Sequence, residues 1–371
     1  MRMEFSPEQH ELRAAIRGFL TARAPMSRQR ELIAAGRCHD DELWQALASE
    51  IGAQSLIIPE RHGGAGGSLI DLSIVMEEVG RTLAVVSLLP TALASLAILG
   101  SGDEPAASRY LPQLASGEAI GCLALADDDG RWCATTGSVT AHEAASGWRL
   151  NGCRSYVAGG QAASLIVVPA VVSDRMALFV VTADATGVDR RQLPDLTDPT
   201  MPLSQITFDD SPAHRLGGAV PLDRAFERLL DIAAVLLACE QVGGAARCLQ
   251  MSLDHVMTRT QFDRLVGSFQ AVKHRCADML LDVEMAKSAA YYGVRCAEAG
   301  SDELATVASL ARAFCSAAYS RVAASNLQNH GGIGFTWECD AHLYLKRAKS
   351  SEVLFGNVAF HQDQLVARVG L

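Results

Sequence analysis

Arg259 to Gln270 reads R-T-Q-F-D-R-L-V-G-S-F-Q and Gln328 to Phe335 reads Q-N-H-G-G-I-G-F. Each interrupts helical periodicity: the first lies between Asp223 to Thr258 and Ser268 to Gly300, and the second closes the stretch from Asp302 to His330. Apolar residues recurring at three- and four-residue spacing over segments this long predict a helical bundle. A lone glycine run is ordinarily a turn and a lone helical Arg a solvated side chain. What decides the fold is that both blocks occur together, at the ends of long helices.

Working outward, the periodicity changes between about Pro112 and Leu216. Short runs at Trp148 to Leu150, Ser164 to Val168, Ala177 to Val181 and Ser204 to Phe208 are bounded by turn residues and read as strands. Asn151-Gly152 between two such runs predicts a tight hairpin turn. Before them the pattern is helical again. Ser6 followed by Pro7 and Glu8 opens a helix through Leu12, Ile16 and Leu20, and Ser68 with Asp71 opens another over Leu69 to Arg81 after the flexible run Gly63 to Gly67. The order predicts an α+β multidomain chain: an N-terminal helical domain over 1–111, a middle β-barrel or sandwich domain over 112–219, and a C-terminal four-helix bundle over 220–371.

Composition narrows the function. The 371 residues exceed one small module, and 49% hydrophobic with 20% charged residues supplies a large core. A net charge of −10 disfavours nucleic acid and anionic lipid surfaces, so no nucleic-acid or membrane partner is expected. The ten cysteines, among them Cys38, Cys133 and Cys339, show no zinc-like spacing, so no metal is expected and the thiols read as free in a reducing cytosol. The first residues do not resemble a secretory signal. The longest apolar run, Ile232 to Cys239, falls well short of the roughly 20 residues that span a bilayer, and a cytoplasmic location follows as an expectation.

The block at Arg259, with the following A-V-K-H-R-C-A-D-M, resembles the acyl-CoA dehydrogenase signature R-x-x-F-G with a later F-Q, and Q-N-H-G-G-I-G-F resembles that family's Q-x-x-G-G-x-G-F. I-P-E-R-H-G-G-A-G (Ile58 to Gly66), E-E-V-G-R (Glu77 to Arg81) and Y-L-P-Q-L-A-S-G-E (Tyr110 to Glu118) are also similar to the family, so the likeness spans nearly the whole chain. It implies the acyl-CoA dehydrogenase fold and FAD. Arg259, Gln261, Phe262, Phe269, Gln270 and Asn357 would bind FAD, with Gln328, Gly331 and Gly332 contacting it from a neighbouring subunit. Glycines admit a pyrophosphate close to the backbone and Arg259 supplies charge. The implied partners are an acyl-CoA substrate, an electron-transfer flavoprotein, and further subunits in a homotetramer or an α2β2 heterotetramer.

The implied reaction is α,β-dehydrogenation of an acyl-CoA thioester to the 2-enoyl-CoA, which needs a carboxylate as base. In most members this is a Glu of Y-E-G-T, 24 residues past the first glycine of the second block. Counting on from Gly331 reaches Phe355 in L-F-G-N. The minority position, upstream of Arg259, is Ala233. Glu240 in A-C-E-Q-V-G-G is the first candidate for a relocated base and Glu352 the second; the bland alternative for Glu240 is a buried carboxylate paired with an arginine such as Arg247. Other departures are Ala124 to Cys133 in place of T-E-P-x-x-G-S-D, Ala158 where Thr or Ser bonds the flavin, and Asp263 where Gly is usual. The ending H-L-Y-L-K-R-A-K (His342 to Lys349) resembles bacterial members acting on bulky polycyclic side chains, some of them two-gene assemblies. The readings left open are a self-sufficient dehydrogenase, a catalytically incomplete partner subunit, and a same-fold flavin monooxygenase; a purely structural or binding protein is a weaker fourth.

Overall fold

The structure, a computed structural model, describes residues 4–132, 138–145, 147–194, 197–217 and 222–370. Helices come first: α1 Pro7–Arg23, α2 Met26–Ala34, α3 Asp41–Ala46, α4 Leu69–Thr82, α5 Leu88–Ser101 and α6 Glu104–Ala115. Strands follow: β1 Gly121–Leu123, β2 Val139–Ala144, β3 Gly147–Ala158, β4 Leu165–Val172, β5 Arg175–Thr182, β6 Val188–Gln192 and β7 Leu203–Leu216. Then come α7 Leu222–Val256, a small hairpin of β8 Thr260–Gln261 and β9 Arg264–Leu265, α8 Gln270–Glu298, α9 Leu304–His330, α10 Ala341–Val353 and α11 Val358–Arg368. This is the α, β, α order the sequence predicts. Cys133 and the predicted 219/220 boundary lie outside the described residues. The chain divides into two compact units, one of Met1–Glu31, Leu69–Ala84 and Ala234–Leu371, the other of Leu32–Ser68 and Val85–Ala233.

In the first unit α1 starts where Ser6 directs it. The Ser6 hydroxyl accepts the Gln9 N–H at 3.3 Å and the Gln9 side chain accepts the Ser6 N–H at 3.1 Å, a full capping box. Ile16 and Leu20 are buried beneath it. Two arginines fasten α1 to α4: Arg17 grips Glu78 through two hydrogen bonds of 3.0 and 2.7 Å, and Arg13 meets Glu77 at 2.9 Å while the Tyr291 hydroxyl of α8 donates to the same carboxylate at 2.7 Å. Both carboxylates are buried, and such charges persist only when paired. α4 crosses α7 with the main chains almost touching. A Cβ on Gly80 would lie 1.9 Å from the Glu240 carbonyl oxygen, and one on Gly243 would lie 1.8 Å from that of Glu77. Around this crossing α9 packs on α8, α10 and α11.

In the second unit the strands close on themselves. β4 pairs with β2, β2 with β3, β3 with β7, β7 with β5 and β5 with β4, while β1 joins β4 and β6 joins β7 at the sides. Closure removes the exposed edges of the ring. Its interior is filled by Val139, Leu150, Ile166, Val168, Phe179, Ile206, Phe208 and smaller neighbours. Arg154 is fully buried there and donates to the carbonyls of Leu125 at 3.0 Å and Pro169 at 2.7 Å.

One sequence expectation is overturned. Asn151-Gly152 is not a hairpin turn: β3 runs straight through it, and the chain reverses between β2 and β3 where Ala144 pairs with Gly147. Gly152 marks a β-bulge, with a register shift against β7 between Leu150 and Gly152. Its φ is +128° and a Cβ would sit 1.8 Å from the Ser138 carbonyl oxygen. A positive φ serves a bulge as well as a turn, so the dipeptide alone does not separate the two.

The three long C-terminal helices lie where the periodicity places them, within one or two residues at each end. One of them, over Arg224–Val256, is long and apolar enough to cross a membrane, but 83% of its most apolar window is buried within the protein, as in a core helix.

The α4–α7 crossing yields a paired expectation. Gly243→Ala forces a methyl group into the Glu77 carbonyl and lowers the thermal midpoint, because overpacking costs about 1–3 kcal/mol or more where only backbone can yield. Gly18→Ala, on the exposed face of α1 with nothing within 4 Å, raises it through a helix-propensity gain of up to about 1 kcal/mol. Thermal unfolding followed by circular dichroism checks both signs.

Candidate functional site

The two blocks that decide the fold emerge at one place in the first unit. The His255 and His330 rings stack at 4.4 Å, and Ser252 of α7 donates to the Asn326 side chain of α9 at 2.9 Å, so the ends of these helices lie side by side. From the first end springs the β8–β9 hairpin, whose reversal at Phe262 and Asp263 takes φ of +54° and +58°. Two consecutive positive φ values define a tight turn that ordinarily recruits Gly or Asn. Arg264 stacks 3.8 Å over the Phe269 ring, and Phe269 meets Phe262 edge-on at 6.2 Å. From the second end, α9 stops at Gly331 with φ +65° and passes into a short 3-10 turn, Gly331–Phe335.

The residues here fit the dinucleotide implied by resemblance. Arg259, Gln261, Gln270 and Gln328 are all exposed, and their side chains make no hydrogen bond among the described residues. Free cationic and amide donors beside bare backbone suit phosphate oxygens. Gly331 and Gly332 would each accept a Cβ with nothing of this chain within 4 Å. Gly332 has no positive φ either, so its missing side chain is explained by nothing in its own fold and leaves room for a group from outside. Phe262 is 85% exposed and Phe335 74%. Asn357 acts on its own helix, where its side-chain oxygen caps α11 by accepting the Phe360 N–H at 2.9 Å.

The expected carboxylates are in other company. Glu240 is buried and forms an ion pair with Arg347 of α10 at 2.5 Å, the bland arrangement anticipated for it but with Arg347 in place of Arg247. Glu352 accepts from the Ser320 hydroxyl at 2.7 Å and the Lys349 ammonium at 2.9 Å. Burial pushes its pKa up, but these two hydrogen bonds and the Lys349 charge outweigh it, and the net shift is downward. A carboxyl held below its usual range is a weak base.

Phe355 sits in a turn with φ +55°, followed by Gly356 at +102°. Sequence reasoning did not pick out what holds this turn. Arg312 of α9 is fully buried and donates to the carbonyls of Leu354, at 2.7 Å, and Ser351, and to the Gln241 side chain at 3.3 Å and the Ser316 hydroxyl. Burial lowers its pKa to about 10. From the other side His361 of α11 donates to the Phe355 carbonyl at 3.0 Å. Burial first, then the Arg312 charge, pushes the pKa of His361 down to about 4. An arginine inside an otherwise apolar helical pattern, in A-R-A-F, was the available signal.

Family models match the chain at both ends: residues 6–118 fit the acyl-CoA dehydrogenase N-terminal domain and residues 223–370 the C-terminal domain. The acyl-CoA dehydrogenase IpdE2 of Mycobacterium tuberculosis is 35% identical over 356 residues, covering 94% of this chain and 93% of that protein. A variant of the steroid acyl-CoA dehydrogenase Tcur3481-Tcur3483 superposes with a TM-score of 0.88 at 30% identity over 98% of this chain and 97% of that one. The ChsE4-ChsE5 complex of Mycobacterium tuberculosis superposes with a TM-score of 0.90 at 27% identity, covering 100% of this chain and 99% of the other. The chain belongs to the acyl-CoA dehydrogenase family, and is thus an oxidoreductase of a family that binds FAD.

Two outcomes follow from this geometry. Glu240→Gln removes the negative charge facing buried Arg347 and lowers stability by about 3–5 kcal/mol, and adding Arg347→Met recovers much of it; urea unfolding of the single and double variants reads this. A base would instead show lost turnover at unchanged stability. His361 stays neutral in the folded chain while the unfolded chain protonates near pH 6.5, so its contribution is complete above about 6.5 and is lost as pH falls toward about 4. Stability measured from about pH 7 down to about pH 5 therefore drops by on the order of 2 kcal/mol, and His361→Gln flattens that slope.

Proposed function

We propose that this chain is one subunit of a heteromeric, FAD-dependent acyl-CoA dehydrogenase, in which a different chain supplies the base that removes the α-proton of a bulky acyl-CoA. The observation that carries the reading is Phe355 at the position of the family's carboxylate, in a turn clamped from two sides by Arg312 and His361. The two remaining candidates support it: Glu240 is committed to Arg347, and Glu352 is held by Ser320 and Lys349. A group already in a buried ion pair gives up that pair to take a proton, which is the wrong direction for a base.

In this reading the free donors of Arg259, Gln261 and Gln270 hold phosphates and ribityl hydroxyls of one cofactor, while Gln328 reaches the cofactor of a neighbouring subunit and Gly331 and Gly332 let it approach. When bound, the flavin would supply the hydride acceptor for the β-carbon. The large exposed rings of Phe262 and Phe335 flank these donors, and apolar groups of that size left open beside a polar site suit a subunit contact. The substrate class is proposed from the steroid-acting neighbour and the two-protein complex that this chain resembles. The same reading makes the assembly cytoplasmic and passes its electrons to an electron-transfer flavoprotein.

The test is to purify the chain alone and together with a family member encoded beside it, and to record flavin absorption anaerobically with and without a bulky acyl-CoA. The expected result is bleaching only in the co-purified assembly, lost again when the partner's carboxylate is changed to amide. Full bleaching and turnover by this chain alone overturns the subunit reading in favour of a self-sufficient enzyme.

A further inference from the structure

Outside the elements discussed above, the second unit carries a cavity of ≈ 680 Å³ bounded by the turn before α3, the loop after β3 and strand β6. Its lining includes Arg37, His39, Asp41, Arg190 and Arg191, so three guanidinium groups face one carboxylate in a chain whose net charge is −10. Cations gathered against the overall sign of the protein need a local reason. Asp41 accounts for one of them, at 2.5 Å from Arg37. Among the described residues Arg191 reaches only the neutral Gln205 side chain, at 3.1 Å.

Arg190 is the fixed element. Its Nη1 donates to the carbonyls of Gly160, Gln161 and Ala163 at 3.3, 3.0 and 2.7 Å, which pins the guanidinium and leaves Nε and Nη2 without a hydrogen bond among the described residues. A preset fork of donors is what planar oxyanion recognition uses. His39 also lines the cavity. It is 4% exposed, its Nδ1 stands 3.2 Å from the Ser87 hydroxyl, and its Nε2 is buried without a partner among the described residues.

We infer that this cavity is a binding site for a phosphate-bearing small molecule, separate from the flavin-binding residues, with Arg190 as the rigid contact and the exposed side chains of Arg191 and Arg37 closing on it. The volume suits a ligand of nucleotide size, within the usual range of roughly 300–1,000 Å³.

Calorimetric titration of the whole chain with inorganic pyrophosphate, adenosine diphosphate and citrate tests this. Pyrophosphate and the nucleotide are expected to bind with submillimolar affinity and citrate more weakly. Arg37→Gln and Arg191→Gln, both on exposed side chains, each weaken binding by about tenfold, one charge-assisted hydrogen bond's worth, with the thermal midpoint unchanged. Arg259→Gln, among the flavin-binding residues, leaves it intact. The inference is overturned if pyrophosphate gives no heat, if citrate binds as tightly as pyrophosphate, if the double variant Arg37→Gln/Arg191→Gln binds normally, or if Arg259→Gln alone abolishes binding.

Discussion

The first unit depends on the contact of two helix backbones. Gly80 of α4 rests against the Glu240 carbonyl of α7, and Gly243 of α7 against the Glu77 carbonyl of α4, so each helix offers a glycine three residues beyond the residue whose oxygen is touched. With main chains this close there is no room between them for a side chain. The carboxylates of Glu77 and Glu240 therefore leave the contact sideways, one to Arg13 and Tyr291, the other to Arg347. Helix packing thus fixes which charges meet, and it is the reason the Glu240 carboxylate is turned to Arg347.

A second buried arginine shapes the turn at Phe355. Arg312 has no need of a carboxylate because carbonyls, an amide and a hydroxyl satisfy it, and those carbonyls belong to the segment entering the turn at Phe355. Its charge in turn helps to keep His361 neutral, so that His361 acts as a donor to the same turn. The Phe355 turn thus has a well-held backbone, while the donors at the ends of α7 and α9 make no hydrogen bond among the described residues.

Much of this was legible in the residues. Ser6, Pro7 and Gln9 start α1 through local hydrogen bonds, which sequence determines without help. The long C-terminal helices were visible because a 3.6-residue period sustained over many turns has no other reading. The repeated E-x-V-G in Glu77 to Gly80 and in Glu240 to Gly243 was also there to be read, although only the structure shows that the two copies face each other. Asn151-Gly152 misled because a left-handed glycine is required equally by a turn and by a bulge, and the choice belongs to the partner strand. Arg37, His39 and Arg190 gave no signal, since the strand and loops that gather them are distant in sequence.

The sequence by itself determined the order of helical and strand segments, the family resemblance, and the Arg259 and Gly331 blocks that carry it. These are local facts: capping, period, motif spacing and residue identity. Only the tertiary structure decided which arginine takes Glu240, what holds the Phe355 turn, and where a cationic cavity forms. Those outcomes rest on side chains brought together from separate elements, across 107 residues for Glu240 and Arg347, and the partner of a buried charge is set by packing rather than by its neighbours along the chain.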